Sequence, residues 1–145
     1  MTSASEARPT VLVVDDDADT RVTLRVLLEE EGYGVLEAAG GSEALKLLLS
    51  SPQRLVVLLD YVMPRVDGLA VLHEIARTPA QAQRHAFVLM SARRLSHRLV
   101  VLRLLQGLRV PMVAKPFDIQ TILDAVAQAA TTLQVPVRRS RWRGR

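Results

Sequence analysis

Short, continuous apolar runs alternate with helical patterns along this chain, and that alternation restricts the fold more than any other feature. The runs are Val11–Val14, a weaker Tyr33–Glu37, Leu55–Leu59, Phe87–Met90 and Val110–Ala114. Four or five apolar residues in a row, rich in Val and Leu, suit strands buried on both faces, as in a parallel sheet. Between and after them, apolar residues recur at helical spacing over Thr20–Glu31, Ser42–Leu49, Gly68–Arg77, Arg94–Gln106 and Phe117–Leu133. Gly32 and Gly107 mark two helix ends, and Pro52, Pro79 and Pro136 lie just past three others. Five strand–helix units joined by short links predict one α/β domain, a doubly wound parallel sheet with five helices on its two faces. Ligands of such sheets bind at the carboxyl ends of the strands.

Composition narrows the chemistry available there. The chain has no Cys, which excludes disulfides, thiolate nucleophiles and Cys-ligated metals. No apolar run approaches the roughly 20 residues of a membrane span, and the first ten residues lack the apolar core of a signal peptide. A cytoplasmic protein without membrane contact is therefore expected. The formal charge of +4 arises from a tail: five of the 19 basic residues are Arg138, Arg139, Arg141, Arg143 and Arg145, leaving 14 basic against 15 acidic residues. Residues 1–9 read as an N-terminal tail, 10–134 as the domain and 135–145 as a disordered basic tail holding the single Trp, Trp142. The tail arginines could touch nucleic acid, but no recognition motif accompanies them, so nucleic acid is not an expected partner. His73, His85 and His97 share no metal spacing and read as structural or surface residues.

The strand ends are chemically distinctive. The first strand runs into Asp15-Asp16-Asp17, the third ends at Asp60, the fourth at Ser91 and the fifth at Lys115, one of only two lysines. In a parallel sheet all of these project at one edge. Converging carboxylates repel and call for a cation, and an oxygen-only set suits Mg²⁺. A hydroxyl and an ammonium beside them suit a phosphoryl group, with a carboxylate as nucleophile. Taken singly, each residue has a plainer reading: Asp as a helix cap, Ser as a cap, Lys as a solvated charge. The joint pattern is what points to phosphoryl chemistry.

With VLVVDDD at 11–17, EAAGGSEAL at 37–45, LLDYVMPRVDG at 58–68, MSA at 90–92 and KPF at 115–117, the chain resembles the response-regulator receiver domains of two-component signalling over about residues 10–134. The resemblance implies a flavodoxin-like sheet of strand order 2-1-3-4-5. It makes Asp60 the phosphoacceptor, Asp15 and Asp16 the acidic pair that binds Mg²⁺ together with Asp60, and Asp16 the more direct ligand. Val62 matches the position whose backbone carbonyl binds the metal. Ser91 matches the hydroxyl residue that responds to phosphorylation, Lys115 the phosphoryl-contacting lysine and Pro116 the proline commonly in cis. Asp17 reads as helix N-terminal solvation. The implied partners are a sensor histidine kinase or phosphotransfer protein and a downstream protein target, reached through a change at the surface of the fourth helix and fifth strand. No catalysis on a separate substrate is implied, only self-phosphorylation and self-dephosphorylation.

Two features depart from the family pattern. Met112 stands where an aromatic residue is usual, and the stretch from Gly107 to Lys115 is about one residue longer than the common form. On the fourth helix Val100, Val101, Leu102, Leu104, Leu105 and Leu108 span an arc of about 200°, wider than a one-sided stripe, which suggests a homodimer or partner contact. A metal-dependent phosphohydrolase of similar fold would place a second Asp shortly after the nucleophile, where Val62 stands. The remaining alternatives are an unphosphorylated pseudo-receiver and a fragment of a longer regulator, since about eleven residues follow the last helix. Val62 and Arg93 match the two positions that flank the pocket and influence phosphoryl lifetime in the family, and neither resembles a group that would orient an attacking water. A phosphoryl group on Asp60 is therefore expected to persist on the order of hours. Loss of the label from purified protein within about a minute would contradict this.

Overall fold

The computed structural model describes residues 8–92 and 99–134, with the backbone alone over 99–102 and at 134. Its elements are β1 Thr10–Val14, α1 Ala18–Glu30, β2 Gly34–Ala38, α2 Gly41–Ser50, β3 Leu55–Asp60, α3 Gly68–Ala76, α4 Pro79–Arg84, β4 Ala86–Ser91, α5 Leu99–Leu108, β5 Met112–Ala114 and α6 Ile119–Gln134. All strand pairings are parallel, and the sheet order is β2-β1-β3-β4-β5. The predicted doubly wound sheet and its strand order are thus what the chain adopts.

Alternation along the strands divides the interior into two layers. Leu12, Val14, Leu55, Val57 and Leu59 face the side of α2, α3 and α5, where Leu48, Leu72, Ile75 and Leu105 cover them. Val11, Val13, Val56 and Leu58 face the side of α1 and α6, against Leu24, Leu28, Ile122 and Val126. Every residue of β3 is buried, as a central strand covered on both faces requires. Each such Leu, Ile or Val contributes about 1.5–3 kcal/mol by leaving water.

The structure corrects the reading in three places. A sixth helix, α4, precedes β4. Its signal was Thr78 followed by Pro79 at the first helical positions, but six residues are too few to show a period. The helix predicted over Arg94–Gln106 is α5, and it runs to Leu108. Gly107 stays inside it, and Arg109 adopts the left-handed conformation at its end, with φ 58°. The strand predicted from Val110 begins only at Met112, because Val110 donates its N–H to Leu105 and Pro111 has none to give a ladder. Arg93, the start of that helix before Leu99, His97, the tail and the side chains of Val100, Val101 and Leu102 lie outside the described residues.

The end of the sheet opposite the strand carboxyl termini is tied by α4 and the start of β4. Arg84 donates to the carbonyls of Ser51 (2.8 Å) and Pro52 (2.9 Å). His85, 4% exposed, accepts at Nδ1 from the Leu55 N–H at 3.1 Å, and its Nε2 lies 3.2 Å from the Leu48 carbonyl. A backbone N–H can only donate, so the ring is neutral with its proton on Nε2, which donates to Leu48. Burial, foremost, lowers the His85 pKa from 6.5, partly opposed by the Leu48 bond. The unfolded chain therefore takes up this proton first as the pH falls. The stability that rests on His85 is complete above pH 6.5 and is lost below it, toward the depressed folded value. In His85→Gln the amide can keep both bonds without titrating. The urea midpoint of the wild type is expected to fall as the pH drops below 6.5, and that part of the fall should vanish in H85Q.

Candidate functional site

Four strand ends meet at the opposite edge. β1 delivers Asp15 and Asp16, β3 ends on Asp60, β4 ends on Ser91, and Lys115 directly follows β5. The register pairs Val14 with Leu59 and Asp60 with Met90, so these ends are level across the sheet. The main chain continues the alignment: Tyr61 donates to the Met90 carbonyl at 2.8 Å and Lys115 to the Ser91 carbonyl at 2.9 Å. Ser91 is buried at 3% exposure.

Asp15, Asp16 and Asp60 present carboxylate oxygens that all lie within 4.8 Å of one another. Asp15 and Asp60 are buried, at 1% and 6% exposure, while Asp16 is open to solvent. The Lys115 ammonium stands between the two buried acids, 3.1 Å from Asp60 Oδ1 and 3.3 Å from Asp15 Oδ2. Burial raises the Asp60 pKa, and the nearby Asp15 and Asp16 charges raise it further, against the Lys115 hydrogen bond. At Lys115, burial works to lower the pKa, but contact with Asp60 and Asp15 outweighs it and the net shift is upward. At Asp60 burial sets the direction and the neighbouring acids add to it, whereas at Lys115 the contacts with two carboxylates set it. An oxygen-only donor set with surplus negative charge and one solvent-facing member fits a hydrated divalent ion such as Mg²⁺.

The remaining residues of the predicted set divide. Val62 lies in the loop after β3, with its side chain 56% exposed. The Lys115–Pro116 peptide is cis. Asp17 is the N-cap of α1 and accepts from the Thr20 hydroxyl at 2.6 Å, which lowers its pKa, so it belongs to the helix start. Met112 sits on the edge strand, largely exposed.

Two residues that no motif-level chemistry marks are also built into the site. Gly68, the first residue of α3, donates to the Tyr61 carbonyl at 2.8 Å, and a Cβ on it would stand 2.4 Å from the Asp60 carbonyl oxygen. The DG pair reads as a turn in sequence, and only the packing shows what it makes room for. Arg21 donates Nη1 to the Asp15 carbonyl at 2.7 Å and Nε to Glu37 at 2.9 Å. Its helical position is visible in the sequence, but its partners come from β1 and β2. Gly68→Ala is expected to destabilise the fold by about 1–3 kcal/mol in urea titration, because the obstructing atoms are backbone and cannot rotate away. An unchanged midpoint would mean that the loop yields freely.

Residues 11–127 match the family model described as "Response regulator receiver domain". The chain is 32% identical over 117 residues to a probable chemotaxis protein CheY of Rhizobium etli, covering 80% of this chain and 88% of that one. It is 31% identical over 118 residues to the chemotaxis protein CheY of Bacillus subtilis, covering 80% and 92%. The fold superposes on a CheY-like response-regulator receiver domain protein from Methanospirillum hungatei with a TM-score of 0.70 at 26% identity, covering 86% of this chain and 96% of the other.

Proposed function

The chain belongs to the response-regulator receiver family, and on that premise we propose that it accepts a phosphoryl group on Asp60 from a histidine kinase or phosphotransfer protein. The observation that carries this reading is the Asp60 carboxylate itself. It is nearly buried, it touches the Lys115 ammonium at 3.1 Å, and it shares an acidic cluster with Asp15 and Asp16. Residues 10–134 form the working unit, in a cytoplasmic setting; among the described residues no helix is long and apolar enough to cross a membrane.

In the transfer, an Asp60 oxygen forms a bond to phosphorus as the phosphorus–nitrogen bond of the donor phosphohistidine breaks. The bonding pair stays on the imidazole nitrogen, and the ring leaves as neutral imidazole, taking up a proton from solvent where its other nitrogen carries none. Lys115 is placed to follow the charge onto the phosphoryl oxygens, and the buried Ser91 hydroxyl is the donor that responds to them. Asp15, Asp16, Asp60 and the Val62 backbone carbonyl are the groups that would hold Mg²⁺. When bound, the ion offsets negative charge on the acceptor and the incoming group. No step acts on a separate substrate.

The added charge then changes the balance of contacts at one end of the sheet, and the response travels to the surface of α5 and β5. On that surface Leu105 is buried, Leu104 and Leu108 are half-buried, and Arg103 and Met112 are exposed. A downstream protein or a second copy would read it. Met112 offers an apolar, adaptable contact in place of a ring with a hydroxyl.

Incubation with acetyl phosphate and Mg²⁺ is expected to add the mass of one phosphoryl group to the intact wild-type protein. No such gain is expected without Mg²⁺ or in Asp60→Asn. A wild-type chain that stays unmodified under all conditions, beryllofluoride included, would identify a pseudo-receiver.

A further inference from the structure

Asp15 is held at every polar group it has. Its N–H donates to the Ala38 carbonyl at 3.2 Å, its carbonyl accepts from Arg21 at 2.7 Å, Oδ1 accepts the Asp17 N–H at 2.9 Å, and Oδ2 meets Lys115 at 3.3 Å. The carbonyl matters most for the neighbouring residue, since it belongs to the planar peptide from which Asp16 departs. Fixing that oxygen fixes the peptide plane as far as the Asp16 Cα, and the Asp17 N–H bond to Asp15 Oδ1 holds the next plane, so the two together set the direction in which the Asp16 side chain leaves the backbone. Asp16 is the solvent-facing member of the acidic cluster, and its carboxylate has to be aimed by the main chain.

Arg21 is itself held. Its Nε–H donates to Glu37 Oε1 at 2.9 Å, while the other Glu37 oxygen takes Arg25 Nη2 at 2.6 Å. The Arg21 and Glu37 side chains are only 17% and 23% exposed. One face of the guanidinium fork is thus anchored on β2 while another reaches the end of β1. A lysine would keep the charge but has no rigid planar fork to hold both partners in one fixed geometry.

We propose that Arg21, anchored by Glu37, is a positioning residue that aims Asp16 at a divalent cation. The inference rests on the reading of the acidic cluster as a Mg²⁺ site. Mg²⁺ demands near-ideal octahedral geometry, so a misdirected carboxylate weakens binding even when the charge is unchanged.

Charge and position predict opposite signs. Arg21 is a cation close to a cation site, so its removal should tighten Mg²⁺ binding if Coulomb interaction alone decides. Loss of positioning should weaken it. Calorimetric titration of the full chain with MgCl₂ reads this directly, with folding checked by circular dichroism. In Arg21→Gln the dissociation constant is expected to rise about 10-fold, the scale of losing a partner behind a metal ligand. Arg21→Lys, which keeps the charge but not the fork, should show most of the same loss. If R21Q does not fold, R21K decides. Binding in R21Q as tight as or tighter than wild type, or R21K equal to wild type, overturns the proposal and leaves the Mg²⁺ reading standing. A wild-type chain that binds no Mg²⁺ overturns the reading itself, and the proposal with it.

Discussion

A strand covered on both faces can carry charged side chains only at its ends. In this chain β1 is apolar from its first buried residue to its last, β3 is apolar up to its final residue, Asp60, and the buried carboxylates Asp15 and Asp60 stand at the carboxyl ends of the two strands. Because all five strands run parallel and in register, those ends form a single edge. The acids, the Ser91 hydroxyl and the lysine come together as a consequence of how the core is closed. Burying an unpaired carboxylate in the middle of β3 would cost several kcal/mol, which keeps the chemistry out of the interior.

At that edge the balance of charge is deliberately incomplete. One ammonium spans two buried carboxylates, and a third carboxylate stands in solvent. A neutral, fully paired cluster would be a stable end point with nothing to recruit. The surplus negative charge suits a cation, and a cation there would offset the charge of the phosphoryl group that the proposed function brings next to these acids. The Arg21–Glu37 bridge, neutral as a pair, lies behind the site, where Arg21 holds the Asp15 carbonyl.

The opposite edge is tied by side-chain hydrogen bonds to the backbone. His85 and Arg84 join the end of α2 and the turn before β3 to the start of β4, using backbone carbonyls and one backbone N–H as partners. Such a frame fixes where the strands begin, and their level ends then follow from their length and parallel register. The proposed response to phosphorylation lies at α5 and β5. The edge strand there has only three residues and a single neighbour, so few ladder bonds resist its movement.

The sequence by itself determined the fold class and the cluster Asp15, Asp16, Asp60 and Lys115, because both rest on local patterns: apolar runs of strand length, and polar residues placed directly after them. Strand order came with the family resemblance, since alternation alone is compatible with several orders. Helix α4 escaped notice because six residues hold less than two turns. The end of α5 was misplaced because the left-handed position was taken by Arg109, while Gly107, the residue with the greater freedom, stayed helical. Only the tertiary structure decided what Arg21, Gly68 and His85 do. Their partners are Asp15 and Glu37, the Asp60 carbonyl, and Leu48 and Leu55. A pattern read along the chain shows which residues share a face. It cannot show a contact between elements, because that contact exists only after hydrophobic burial has set the distance between them.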